Sequence, residues 1–254
     1  MNAVQVDIKD YICTVTIDRP PVNATDRATY ECLAETFRAL DKREDVKVAI
    51  LTGAGKVFMA GNEMDEIDEM KKPVPLTEYH YVIQDAYMAV KNCRYPVIGA
   101  INGSAAGAGT AFAGCCDVLI AAAGAKFSLS EIKVGVIGAD GFASLMVPEK
   151  VLRYMAFSGD PLPVEDIAQW GGIWKVVPRD EVLPEARKVA ERFCKNARYA
   201  LIYWKENLNR NYDHKLVDKF DVNLLWQLAY LPHEDCVEAY RAYVEKREPR
   251  FDEK

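Results

Sequence analysis

Between Pro96 and Gly141 the chain runs PVIGAINGSAAGAGTAFAGCCDVLIAAAGAKFSLSEIKVGVIGADG, a stretch that strongly restricts what can be built around it. Val97 to Ile101 reads as a short apolar strand, closed by a turn signal at Asn102-Gly103. Six small residues follow, Ser104 to Gly109, and then an uncharged run to Cys116 that lets a helix start against something bulky. After Asp117 comes a second strand, Val118 to Ala123, and a loop in which Glu131 stands among apolar neighbours. Small residues of this kind can cradle a ligand, and a lone carboxylate beside them can do chemistry on it. On the residues alone the same pattern also fits close helix packing and a surface carboxylate.

The flanking chain supplies repeated strand, helix, strand order. Val4 to Ile8 and Tyr11 to Ile17 alternate as a hairpin around Lys9-Asp10. Asp26 is placed to cap a helix whose apolar residues Tyr30, Leu33, Ala34, Phe37 and Leu40 recur at helical spacing. Val46 to Thr52 lacks alternation, which suggests a strand buried on both faces. Thr77 to Cys93 reads as a helix, and Ala143 to Phe157 as another with a break near Pro148. Val164 to Trp170 is a short helix ended by Gly171-Gly172, before a strand from Ile173 to Val177. From Leu183 to Lys246 the chain is helical with interruptions. This order argues for an α/β fold, divided into a core over 1–200 and a helical region over 201–254.

Composition excludes several functions. With 254 residues, half of them apolar, the chain buries a sizeable core. A net charge of -6 without long like-signed runs gives no nucleic-acid footprint. No apolar run is long enough to span a membrane, and acidic residues near the start stand where a signal peptide needs basic ones, so the expected location is the cytoplasm. The seven cysteines are odd in number and form no CxxC pair, which fits reduced, buried thiols. Gly53 and Gly55 lack the further glycine and lysine spacing of a phosphate loop.

Five separated motifs resemble the crotonase (enoyl-CoA hydratase/isomerase) superfamily. They are Asp18-Arg19-Pro20-Pro21-Val22-Asn23-Ala24, the segment Phe58 to Glu66, the segment Pro96 to Asp117, Glu131 to Gly135, and Glu245 to Phe251. The resemblance implies a spiral of strand-strand-helix turns with a C-terminal helical trimerisation region, trimers often pairing into hexamers. It implies an acyl-CoA thioester as substrate, with coenzyme A as part of that substrate rather than a cofactor, and neither a metal nor a redox cofactor. It places an oxyanion hole on the backbone N–H groups of Ala60 and Ala108 and makes Gly61, Met64 and Gly107 substrate-binding, with Glu63, at the family's usual aspartate, either structural or touching the adenine loop through its backbone. Main chain must approach the thioester closely there, which small side chains allow. By the same resemblance Arg19, Lys56, Lys246 and Phe251 meet the coenzyme A moiety, and Tyr81, Tyr87 and His80 shape the acyl pocket; solvated surface groups and core packing are the alternatives.

The carboxylates separate the possible reactions. Hydratases of this family use two glutamates, and the first of those positions is Ala111 here. Glu131 keeps the second, where partial desolvation raises its pKa towards working pH. A single glutamate resembles the pattern of enoyl-CoA double-bond isomerases, which is the leading expectation. Asp140 is the alternative second acid/base, for a hydratase or a β-diketone C–C hydrolase, unless it merely caps the next helix. A non-catalytic acyl-CoA binder is the reading from another class.

Overall fold

A computed structural model describes residues 3–63, 65–66, 73–212 and 215–251, without the side chains of 73–75. Strands β1 (Val4–Lys9) and β2 (Ile12–Ile17) form the expected hairpin. Its two turn residues, Asp10 and Tyr11, both take positive φ (55° and 65°), the backbone twist that matches two right-twisted strands. Helix α1 (Arg27–Leu40) starts at Asp26, whose side chain accepts from the Thr29 N–H at 2.9 Å. Its apolar stripe, Tyr30, Leu33, Ala34, Phe37 and Leu40, is buried as its spacing predicts. Strand β3 (Val48–Gly53) is buried at every residue, consistent with its lack of alternation.

Helix α2 (Pro73–Lys91) packs on α1 and leads to strand β4 (Val97–Ile101), the short strand β5 (Ala105–Ala106) and helix α3 (Ala108–Cys115). Strands β6 (Val118–Ala122) and β7 (Lys126–Ser128) follow, then a 3-10 turn over Ser130–Val134, helix α4 (Asp140–Ala143) and helix α5 (Glu149–Ser158). The break foreseen near Pro148 falls between α4 and α5, where Pro148 precedes the first residue of α5. Strand β8 (Leu162–Pro163), helix α6 (Val164–Gln169) and strand β9 (Lys175–Val177) complete the core order.

The strands form two sheets. The larger has order β1-β2-β3-β4-β6-β9, parallel from β2 onward, and the smaller has order β5-β7-β8. Each winding gives one strand to the larger sheet and one extended segment to the smaller, then a helix. β4, β5 and α3 make one winding, and β6, β7 and the 3-10 turn make the next. The segment after β3 joins the same stack through a bridge between Met59 and Ala105. This is the strand-strand-helix spiral anticipated from the sequence.

Four C-terminal helices wrap the spiral: α7 (Val182–Cys194), α8 (Arg198–Asn211), α9 (Leu216–Tyr230) and α10 (Glu234–Val244). Helix α7 lies across β2, β3, β4 and β6. Helix α9 packs on α2 and α4, and α10 packs on the 3-10 turn. The helical region therefore covers the segment that carries Glu131 and Asp140. Among the described residues no helix is long and apolar enough to cross a membrane.

Candidate active site

Two loops meet at the start of α3. The first, after β3, is held at its base by Asn23, whose amide donates to the carbonyls of Ala54, Val57 and Phe58 at 2.9, 2.8 and 3.2 Å. Further along, Thr25 receives the Glu63 N–H at 2.9 Å and donates its own N–H to Gly61 O at 2.7 Å. The second loop docks on the first through Ala106 N–H to Met59 O at 3.0 Å. A Cβ on Gly61 would stand 3.2 Å from Ala106 O and 3.9 Å from Ala108 N, so the two main chains lie in near contact.

These bonds correct one expected donor. The Ala60 N–H already donates to Val22 O at 3.1 Å and has no proton left for an oxyanion. Two residues further on, the Asn62 N–H finds no acceptor among the described residues, because the bridge to Thr25 uses the Gly61 carbonyl and the Glu63 N–H instead. The Ala108 N–H, in the first turn of α3, is likewise without an acceptor among them. Asn62 turns its side chain inward, where Oδ1 accepts from the Tyr30 hydroxyl. Asn62, Ala108 and Glu131 line one inner cavity of ≈ 60 Å³, whose walls include Tyr87, His80 and Leu224.

Glu131 sits in the 3-10 turn that Gly135 ends with a left-handed φ of 74°. Its carboxyl lies against Gly107: a Cβ there would be 3.0 Å from Oε1 and 3.3 Å from the carboxyl carbon. Gly107 also has φ 50°, so both its backbone and the room beside it favour glycine. Oε2 is buried and has no hydrogen-bond partner among the described residues. Burial, reinforced by the negative charge of Asp140, pushes the Glu131 pKa up to about 8, so the group holds its proton at neutral pH. Ala111 is fully buried on α3 and offers no second carboxyl there.

Asp140 is the first residue of α4, and the residue before it, Ala139, is the cap position. The Asp140 side chain does not cap that helix. Its Oδ1 instead accepts from the Asn223 side-chain amide of α9 at 2.8 Å. Asp140 and Glu131 line a second, outer cavity of ≈ 480 Å³, together with Leu129, Leu152, Ala156 and Phe157. Glu131 thus stands between two spaces. A cleft of ≈ 680 Å³ elsewhere is lined by Asp41, Arg94, Lys205 and Arg210, and neither carboxyl borders it.

The other anticipated residues divide. Arg19 is committed to the protein: it pairs with Glu63 and with Asp26 at 2.9 Å, and donates to Ala24 O at 2.6 Å. Such a saturated guanidinium fixes the loop and has little left for a phosphate, so Arg19 and Glu63 hold each other in place. Tyr87 is buried among Tyr30, Phe112, Phe142 and Phe220, and burial drives its pKa well up. Tyr81 is 51% exposed and borders neither cavity next to Glu131. His80 is buried and stacks on Phe220 at 4.3 Å, and burial lowers its pKa below the usual histidine value, against the pull of Asp221. Phe251 is exposed, and Met64 and His214 lie outside the described residues. Among those residues no cluster of three His, Cys, Asp or Glu is placed to hold a metal ion.

Three residues of the site were not singled out from the sequence. Asn62 follows the Ala60-Gly61 pair, but only the long-range bond to Val22 shows that the Ala60 N–H is taken. Tyr30 reads as core and is core, yet its hydroxyl also holds Asn62. Asn223 carried a signal that was available, a polar residue on the apolar stripe of α9.

Spiral fold, paired backbone donors and a buried carboxyl make a site that can hold negative charge developing on an acyl oxygen and exchange a proton beside it. The Enoyl-CoA hydratase/isomerase family matches over residues 7–254, and the chain belongs to it. It is 29% identical over 219 residues to (7aS)-7a-methyl-1,5-dioxo-2,3,5,6,7,7a-hexahydro-1H-indene-carboxyl-CoA hydrolase of Rhodococcus jostii, covering 86% of this chain and 83% of that one. It is also 29% identical to carnitinyl-CoA dehydratase of Salmonella arizonae, covering 94% of each. Among solved structures, carnitinyl-CoA hydratase from Mycobacterium avium superposes with a TM-score of 0.86 at 28% identity, over 100% of both chains.

Proposed function

We propose that this acyl-CoA-processing enzyme adds water to a 2-enoyl thioester, or forms one by removing water, by way of a thioester enolate, with Glu131 and Asp140 as an acid/base pair. The carrying observation is that both carboxyls border one cavity while burial and the Asp140 charge keep Glu131 protonated. In the direction of hydration, the thioester oxygen accepts from the N–H groups of Asn62 and Ala108 as it takes up negative charge. Water attacks Cβ of the 2-enoyl group and gives a proton to Asp140; the enolate then takes the Glu131 proton at Cα. The product is a 3-hydroxyacyl-CoA, and transfer of the Asp140 proton back to Glu131 by way of solvent restores the site. Each N–H donor lost from such a pair raises the barrier by about 3–4 kcal/mol.

This reading departs from the single-glutamate isomerase, which needs no Asp140 at the cavity. The relatives named as a dehydratase and a hydrolase support it, since both names describe reactions of water. The placement of Glu131 against Gly107, next to the Ala108 N–H, supports an enzyme over a non-catalytic binder. The exposed apolar face of the C-terminal helices supports self-association as a trimer or hexamer.

The test compares wild type, E131Q and D140N on 2-enoyl-, 3-enoyl- and cyclic β-keto acyl-CoA thioesters. Both variants should lose roughly 100-fold or more of the hydration rate. Because Glu131 must start protonated, kcat/KM for hydration should fall as pH rises through about 8. Full activity of D140N, with turnover confined to the 3-enoyl substrate, would return the chain to the isomerase reading.

A further inference from the structure

The buried stripe of α9 comprises Leu216, Phe220, Asn223, Leu224 and Gln227, two of them primary amides. Burying an amide costs free energy unless its polar atoms are hydrogen-bonded, and an apolar residue would pack the same face without that cost. The two amides are used differently. Gln227 serves main chain on both sides, accepting from the Ile137 N–H at 2.5 Å and donating to Gly135 O at 3.4 Å, and so ties down the loop after the 3-10 turn. Asn223, 7% exposed, donates to a side chain that borders the outer cavity, the Asp140 carboxylate, at 2.8 Å. Asn223 itself lines both cavities that meet at Glu131.

An aspartate carboxyl rotates about a soft, two-fold torsion. At the start of a four-residue helix, with no capping bond of its own, Asp140 would sample that torsion freely. One donor fixed on Oδ1 selects a single orientation and leaves Oδ2 as the oxygen free to take a proton. We propose that Asn223 is a positioning residue, brought to the active site by α9, which orients Asp140 for proton transfer with the attacking or departing water. This rests on the acid/base role of Asp140 proposed above. Misplacing a reacting oxygen by about 1 Å typically costs about 100-fold in rate.

N223L keeps the branching at Cγ, with a bulkier side chain, and removes the donor; N223D keeps both size and shape and replaces the donor with an acceptor. In each, hydration should lose roughly 10- to 100-fold in kcat, with KM for the thioester little changed. The loss should disappear against D140N, so that N223L/D140N is no slower than D140N, because Asn223 acts only through that carboxylate. Circular dichroism and the melting temperature of each variant identify any that fails to fold, in which case the other decides. Wild-type kcat in a folded N223L or N223D, or the same fractional loss in the D140N background, would overturn the proposal while D140N remains impaired. A fully active D140N would instead overturn the acid/base role and this positioning role together.

Discussion

Glu131 stores an electrostatic cost in the folded chain. Its Oε2 is buried without a partner among the described residues, and its pKa is raised from 4.5 to about 8, by burial first and then by Asp140. The native state therefore binds a proton that the unfolded chain releases above pH 4.5. Stability contributed by that proton is fully present below pH 4.5, declines as pH rises, and is gone above about 8. E131Q, which cannot ionise, should lack this decline. Urea unfolding of wild type at pH 5 and pH 9 should differ, on account of this residue, by about 2–4 kcal/mol, and the difference should be smaller by that amount in E131Q. Equal pH slopes in the two proteins would mean that the carboxyl is solvated. A cost of this size is compatible with selection for activity, since a buried carboxyl that still carries its proton at neutral pH can give it to an enolate.

At the scale of elements, α8 is fastened by one buried cation. Lys205, 5% exposed, pairs with Asp117 at 2.7 Å and donates to Tyr95 O at 3.0 Å, while the same Asp117 oxygen receives the Val97 N–H at 2.7 Å. Removing the ammonium leaves that carboxylate and carbonyl uncompensated at the entry to β4 and β6. K205A should cost about 2–3 kcal/mol, reduced from the fully buried case because Asp117 keeps some solvent, and lower the melting temperature by about 5–10 °C. An unchanged melting temperature would show that the pair is dispensable.

The elements themselves were largely legible in the sequence, because periodicity and local caps specify them. The hairpin, α1 with its Asp26 cap, and the buried β3, β4 and β6 follow from alternation, helical spacing or its absence. Helix α2 begins earlier than its apolar pattern suggests, since Pro73 and Pro75 are tolerated in a first turn that donates no intrahelical N–H bonds. The 3-10 turn carrying Glu131 is too short to have a period. The site was legible as a neighbourhood of residues and not as bonds. Motif position pointed to Ala60, and a contact with Val22, distant in sequence, moved the free donor to Asn62. Asn223 escaped because its partner lies 83 positions away, where no local rule connects them.

For the whole molecule, α9 joins two surfaces. Its inner stripe closes the cavities through Phe220, Asn223 and Leu224, while Val222, Leu225 and Trp226 face outward, the last two 65% and 63% exposed. Those outward positions are spaced i, i+3, i+4 and form one continuous face, and on α8 Tyr203 and Trp204 are comparably exposed. Large apolar side chains in contiguous positions mark an interaction surface. With a net charge of only -6 on 254 residues, long-range repulsion between copies is modest. Sedimentation velocity at micromolar concentration should give the mass of a trimer or hexamer of the 28.5 kDa chain. The double variant L225E/W226E should sediment as a monomer. Because the same helix holds Asn223 against Asp140, loss of the assembly should also lower hydration activity, with the melting temperature then depending on protein concentration in wild type but not in the variant. A wild-type monomer would refute self-association, an L225E/W226E variant that still assembles would place the interface elsewhere, and either would leave α9 with its inward role alone.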